Sequence, residues 1–218
     1  MSRQPGDYDA AYYAAREGWL DRRIEAAALL RAANVGPGDT VLEVGCGGGT
    51  LLSQLDRRGA RPVGVEVNAT AARLARERVP AAAVVVIGTH IDLPFADGSF
   101  DAVVSQHVLE HLDRPVERLR AWSRLLTPGG RLALVTPNRR YPDHAHFFDP
   151  DHRHLWTADE ALAACAAVGL REARAWTLFP YLGRGRVARA LSTRLGSAFW
   201  RLPAAGIQGR TLLAVATL

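Results

Sequence analysis

Residues 41–52, VLEVGCGGGTLL, place four glycines behind an apolar run that itself carries one carboxylate, Glu43. Glycine inside regular structure costs about 0.5–1 kcal/mol relative to alanine. Its clustering here implies a tight strand-to-helix turn whose backbone comes close to a ligand. The spacing Glu43-x-Gly45-x-Gly47-x-Gly49 is not a dinucleotide fingerprint, whose third glycine would fall on Thr50 or Leu52. A P-loop is excluded as well, since it ends Gly-Lys-Ser/Thr and the chain has no lysine. Glu66 follows the first glycines at about 20 residues, where an acid closing a second strand can take both hydroxyls of a ribose. A turn without a ligand and a plain surface carboxylate are the alternatives at these two places.

Histidines form the second group of chemical residues. Gln106 and His107 close a strand, and His111 lies one helical turn beyond His107, so the two histidines would share a side. That pair could ligate a metal, or His111 could cap and pack. The segment YPDHAHFFDPDHRHLW, residues 141–156, holds His144, His146, His152 and His154 among aromatics and aspartates. Histidine titrates near neutrality, so one of these could act as a general base. H-x-H twice in a loop has no recognised zinc spacing, and lid packing is the plain reading.

The elements that must position these residues are legible from apolar runs and their punctuation. TVLEV, PVGVEV, AAVVVIG, FDAVVSQ and RLALVTPN read as strands, and REARAWTLF and RTLLAVATL as the last two. Helices are expected over residues 17–33, in TLLSQLDRR, in NATAARLARERV, and through residues 107–130 with an interruption at the proline. A further helix is expected over residues 157–168, where Thr157 as N-cap, Glu160 three residues on and Gly169 as stop give both boundaries. Strands alternating with helices, most strands being continuous apolar runs, predict a parallel sheet covered on both faces. Ligands bind such sheets beyond the carboxyl ends of the strands, which is where the glycine turn lies.

The chain has 218 residues, 48% of them hydrophobic and 22% charged, the balance of an ordinary globular domain. We expect a single domain over 1–218: a helical leader 1–34, a ligand-binding core 35–140, a lid loop 141–156 and a basic helical insert 182–205. No apolar run is long enough to cross a membrane. The opening MSRQPGDYDAAYYAAREG lacks a signal-peptide core, so a cytoplasmic location is expected. Cys46 and Cys165 cannot form a disulfide framework and read as free thiols. The net charge of +5 is local: residues 182–218 carry six arginines and no acid, and the remainder is close to neutral. No nucleic-acid partner is expected from so confined an excess.

VLEVGCGGGTLLSQL, GVEVN, LPFADGSFDAVVSQHVLEHL and LLTPGGRLALVTPN, in this order, resemble the class I S-adenosylmethionine-dependent methyltransferases, small-molecule type. The resemblance covers residues 35–140. It implies a Rossmann-like three-layer α/β sandwich whose seven-stranded, mostly parallel sheet has the order 3-2-1-4-5-7-6, with strand 7 antiparallel. It implies S-adenosyl-L-methionine as cofactor. Gly45, Cys46, Gly47 and Gly49 would lie against its amino-acid and ribose portion, and Glu43 would face the loop or the cofactor ammonium. Glu66 would take the ribose hydroxyls, Val67 would pack on adenine, and Gln106 would floor the site. The chain departs from the family at the adenine edge, where GTHIDLPF puts Thr89 and His90 in place of the usual acid. The resemblance also makes 141–156 a lid, with Tyr141, Phe147, Phe148 and Trp156, and Tyr13 of the leader, around a small-molecule acceptor. His144, His146 and His107 are the candidate catalytic groups, and no metal is implied.

Within the insert, Val187, Leu191, Leu195, Ala198 and Leu202 fall on one helical face with arginines off it. The helix could pack on a sheet edge, form a homodimer, or lie against anionic lipid. Three functional rivals therefore stand beside small-molecule methylation: methylation of a lipid or quinone precursor at a membrane surface, RNA modification or docking, and cofactor binding without catalysis.

Overall fold

Seven strands form along the chain: β1 (Thr40–Val44), β2 (Arg61–Glu66), β3 (Ala83–Val86), β4 (Phe100–Gln106), β5 (Leu126–Pro137), β6 (Arg171–Pro180) and β7 (Gly209–Thr217). Between and around them run α1 (Leu20–Ala32), α2 (Thr50–Asp56), α3 (Ala69–Arg78), α4 (Pro115–Arg124), α5 (Ala158–Ala167) and α6 (Arg186–Phe199). The computed structural model describes residues 9, 11–13, 20–88, 92–141, 151–180, 182, 185–199 and 209–218.

The strands make one sheet in the order β3-β2-β1-β4-β5-β7-β6. The pairs β1–β2, β1–β4, β2–β3 and β4–β5 are parallel. β7 runs antiparallel to both neighbours, β5 and β6. This is the seven-stranded arrangement the resemblance implies.

Two-residue alternation decides which side chain goes to which layer. Val41, Ala102, Val104, Ala133 and Val135 point to one face and pack with Leu29, Leu30, Leu51 and Ala72 of α1, α2 and α3. Leu42, Val103, Leu132 and Leu134 point to the other, against Leu119 and Trp122 of α4 and Ala161 and Cys165 of α5. Each fully buried leucine contributes about 1.5–3 kcal/mol, so the inner strands are fixed in register by both layers.

The helix expected through residues 107–130 is divided. His107 has φ 56° and starts no helix. A 3-10 turn covers Leu109–His111. Arg114 adopts φ 51° before Pro115, which opens α4. The residue before proline is driven out of the helical region, and proline is favoured at the first helical position. β5 also begins at Leu126, five residues earlier than the apolar run RLALV indicates, because Leu126 pairs with Phe100 across a register shift. At α5 the expectation holds in detail: Thr157 accepts from the Glu160 amide while the Glu160 carboxylate accepts from the Thr157 amide.

Candidate functional site at the carboxyl edge of the sheet

The β1–α2 turn is folded by left-handed glycines. Gly45 has φ 74°, and a Cβ on it would come within 2.3 Å of Val108 Cγ2. Gly49 has φ 86°, and its Cβ would meet the Ala75 backbone of α3 at 3.0 Å. Neither place admits a side chain. The amides of Gly45 and Cys46 both donate to the Val65 carbonyl of β2, at 2.9 and 3.1 Å. Arg78 braces the far side of the turn through the Gly48 carbonyl at 2.8 Å.

Glu66 closes β2 beside this turn. Its Oε2 accepts from the Gly47 amide at 2.8 Å, and its Oε1 accepts from the amides of Val67 and Asn68 at 2.9 and 3.0 Å. A carboxylate has roughly four acceptor positions, so three backbone amides orient Glu66 and leave capacity for one further donor. Val67, next to it, keeps its side chain 38% exposed. An apolar surface and an oriented acceptor thus adjoin at one strand end. Glu43 is buried at the end of β1. Cys46 is buried too, and burial, followed by the charges of Glu43 and Glu66, pushes its thiol above the ordinary range. The ring of Tyr13 lies 3.9 Å from the position a Gly47 Cβ would take, so this leader residue meets the glycine turn.

The floor of the site is a buried ionic chain that the sequence reading missed. His107 Nε2 lies 2.9 Å from Glu25 Oε2 of α1, and its Nδ1 lies 3.3 Å from Glu110 Oε1. Gln106 Nε2 donates to the same Glu25 oxygen and to the Arg22 carbonyl, each at 3.0 Å. Thr211 of β7 donates to Glu25 Oε1 at 3.0 Å, and Thr136 of β5 to Glu110 Oε2 at 3.1 Å. Burial and Arg22 depress the imidazole pKa, but Glu25 and Glu110 outweigh them and raise it. Burial raises both carboxyls, yet His107 overrides it, holding Glu25 well below the usual range and Glu110 at about 2. The result is an imidazolium that donates to Glu25 and is ion-paired with Glu110.

His107 therefore has both ring nitrogens engaged and only 5% of its side chain exposed. It ties the floor together and does not present a lone pair to an acceptor. Nor does it pair with His111: with no helix joining them, His111 turns to the Asp151 carbonyl, 3.1 Å from its Nδ1, and stacks edge-on with His152. Trp156, expected to line the acceptor pocket, is a core residue, 3% exposed, packed edge-on with His154. Tyr141 is half-buried, its amide held by the Asn138 carbonyl. Thr89, His90, His144, His146, Phe147 and Phe148 lie outside the described residues.

Glu25 and Glu110 left a faint sequence signal: each is a lone acid embedded in an apolar helical run, EAAALL and VLEHL. Asp21 likewise escaped notice. It is buried on α1 and receives Arg189 of α6 and Arg210 of β7, each at 3.3 Å.

Residues 42–134 match the family model described as a methyltransferase domain. Over 131 residues the chain is 34% identical to the ubiquinone biosynthesis O-methyltransferase of Pseudomonas paraeruginosa, covering 57% of this chain and 51% of that protein. The chain thus spans about half the length of the curated relatives it matches. Among solved structures, one chain of a complex containing the Haloferax volcanii Trm112 methyltransferase activator is 25% identical, with 96% of this chain and 98% of that chain covered and a TM-score of 0.72. An S-adenosylmethionine-dependent methyltransferase from Mesorhizobium loti shares the fold at 18% identity and TM-score 0.71, with 92% and 100% covered. Residues 42–134 thus resemble a methyltransferase domain, and they lie in a sheet of the order that resemblance implies. No helix among the described residues is long and apolar enough to cross a membrane.

Proposed function

We propose that this chain transfers a methyl group from S-adenosylmethionine to a small-molecule acceptor at the carboxyl edge of the sheet, with a phenolic oxygen as the leading acceptor class. The observation that carries the reading is the Glu66 carboxylate, fixed by the amides of Gly47, Val67 and Asn68 at the rim of a turn whose Gly45 and Gly49 admit no side chain. Such a group has room to accept from a ribose hydroxyl, and exposed Val67 suits an adenine face. The buried acids Glu43 and Glu66 suit a cationic cofactor. The bound cofactor supplies a methyl group on an activated, positively charged sulfur.

What remains for the protein is alignment and the exclusion of water. The Gly45–Gly49 turn and Glu66 hold the donor, and Tyr13 closes over the turn. Gln106 and His107 fix the floor to α1. Where the acceptor must lose a proton, His144 or His146 is the proposed base, since His107 already carries its proton between two carboxylates. Tyr141, with Phe147 and Phe148, is proposed to bind the acceptor. The phenolic class is supported by the Pseudomonas paraeruginosa relative, whose name states O-methylation in ubiquinone biosynthesis. Two buried free thiols fit a reducing compartment such as the cytoplasm.

Calorimetry with S-adenosylmethionine and its demethylated product tests the reading, followed by mass-spectrometric detection of methyl transfer to catechol-type acceptors. Saturable binding by the folded protein that Glu66→Ala abolishes is the expected result. Equal binding by the variant, or none by either, refutes it.

One observation favours a second reading, an acceptor met at a lipid surface. On α6, Val187 is 83% and Leu191 50% exposed, with Arg186 and Arg194 exposed beside them. An apolar strip flanked by arginines is the pattern of an interfacial helix. Co-sedimentation with anionic vesicles should be lost in Val187→Asp/Leu191→Asp. Absence of sedimentation by the parent protein removes this reading.

A further inference from the structure

The stretch after β4 and the loop around residue 152 bring two histidines and a buried acid together where the mechanism above uses none of them as reacting groups. Glu110, His111 and His152 each offer a ligand atom, and these atoms all lie within 4.8 Å of one another. Glu110 is fully buried. Its Oε1 lies 3.3 Å from His107 Nδ1, within ion-pair reach but outside hydrogen-bond geometry. His111 Nδ1 faces the Asp151 carbonyl at 3.1 Å. A carbonyl can only accept, so Nδ1 carries the hydrogen and Nε2 keeps its lone pair. That is the outer-shell arrangement by which metal-binding histidines are oriented.

We infer that Glu110, His111 and His152 form a binding site for one divalent first-row cation of the zinc class. Two imidazoles and one carboxylate are the donor set of open zinc sites, with bonds of about 2.0–2.2 Å. Magnesium and calcium prefer oxygen donors throughout, so the histidine pair selects against them. Ligands on such a shell stand about 3.4 Å apart in tetrahedral geometry. Modest torsions of the two part-buried imidazoles therefore complete the site. The backbone is already in place: the amides of Arg153 and His154 donate to the Glu110 carbonyl at 2.8 and 3.1 Å. The cation would pin the chain at residue 152 to the stretch after β4 and leave at least one position for an outside oxygen.

This inference is independent of methyl transfer, because the cation is measured without cofactor or acceptor. Tag-free protein, stripped with a chelator, is titrated with Zn2+ by calorimetry and with Co2+ by visible absorption, with Mg2+ as the comparison. We expect one Zn2+ or Co2+ per chain, a cobalt spectrum of low-coordinate type, and a melting temperature raised by zinc but not by magnesium. His152→Asn and His111→Asn should each weaken binding by at least 10–100-fold, the loss that even outer-shell partners cause. His152→Asn lies in a part-buried loop and leaves the core intact, and circular dichroism checks its fold. Undiminished stoichiometric binding by folded His152→Asn overturns the site. So does binding that disappears only in His144→Ala/His146→Ala, or no binding by the parent protein.

Discussion

Glu66 and Gly47 are 19 positions apart, yet the Gly47 amide donates to Glu66 Oε2 at 2.8 Å, closing the glycine turn against the end of β2. One carboxylate thus shapes the cradle and faces the ligand from it. Glu66→Ala removes the acceptor from three amides at once, and each buried donor left unpaired costs about 1–3 kcal/mol. Cofactor affinity should fall at least 100-fold and the melting temperature should drop as well. Glu66→Gln, which keeps one acceptor oxygen, should retain most of the stability while still losing affinity. Calorimetry and thermal melts on both variants separate the two roles.

Gly45→Ala is expected to destabilise the fold through a specific neighbour. Its methyl would overlap Val108 Cγ2, and its φ of 74° is left-handed. Overpacking costs about 1–3 kcal/mol and the backbone about 1–2 kcal/mol more. Val108→Ala should recover the first part only. A double-mutant cycle by urea denaturation should therefore show coupling of about 1 kcal/mol or more.

Glu25→Ala should be among the most damaging single changes in α1. It strands the His107 imidazolium and removes the acceptor for Gln106 and Thr211. Breaking a buried pair from one side costs about 3–5 kcal/mol. Denaturant titration should show this loss. Glu77→Ala, in an exposed pair with Arg73, should change stability by under about 1 kcal/mol.

Neither thiol should react in the native protein. Burial pushes Cys165 up to about 11 and Cys46 beyond the ordinary thiol range. Only the thiolate attacks. At pH 8 a disulfide reagent should label no cysteine in folded protein and both in denaturant. Rapid native labelling at Cys46 would mean that the glycine turn opens far more readily than its hydrogen bonds imply.

The parts of this fold that the sequence revealed are those written locally. β1, the glycine turn and Glu66 sit within one continuous motif, and Thr157 with Glu160 cap α5 three residues apart. Residues 107–130 misled the reading because helical composition was weighed without the backbone at His107 and Arg114. The floor of the site was opaque for a different reason. Glu25 meets His107 across 82 positions, and Asp21 meets Arg210 across 189. In the sequence these acids look like ordinary polar decoration of a helix, and only the sheet order brings their partners to them. Separation in the sequence likewise hid His152 from His111, whereas spacing alone suggested His107.

β7 follows β6 in the chain, yet it lies between β5 and β6 and is buried along almost its whole length. A nascent chain halted before Gly209 would hold β5 and β6 without the partner that joins them. Both would expose unpaired backbone, the template on which foreign strands dock. Ribosomal stalling or premature termination ahead of β7 should therefore yield a species prone to sticking and dependent on chaperones, with the glycine turn already written but the sheet beneath it still open.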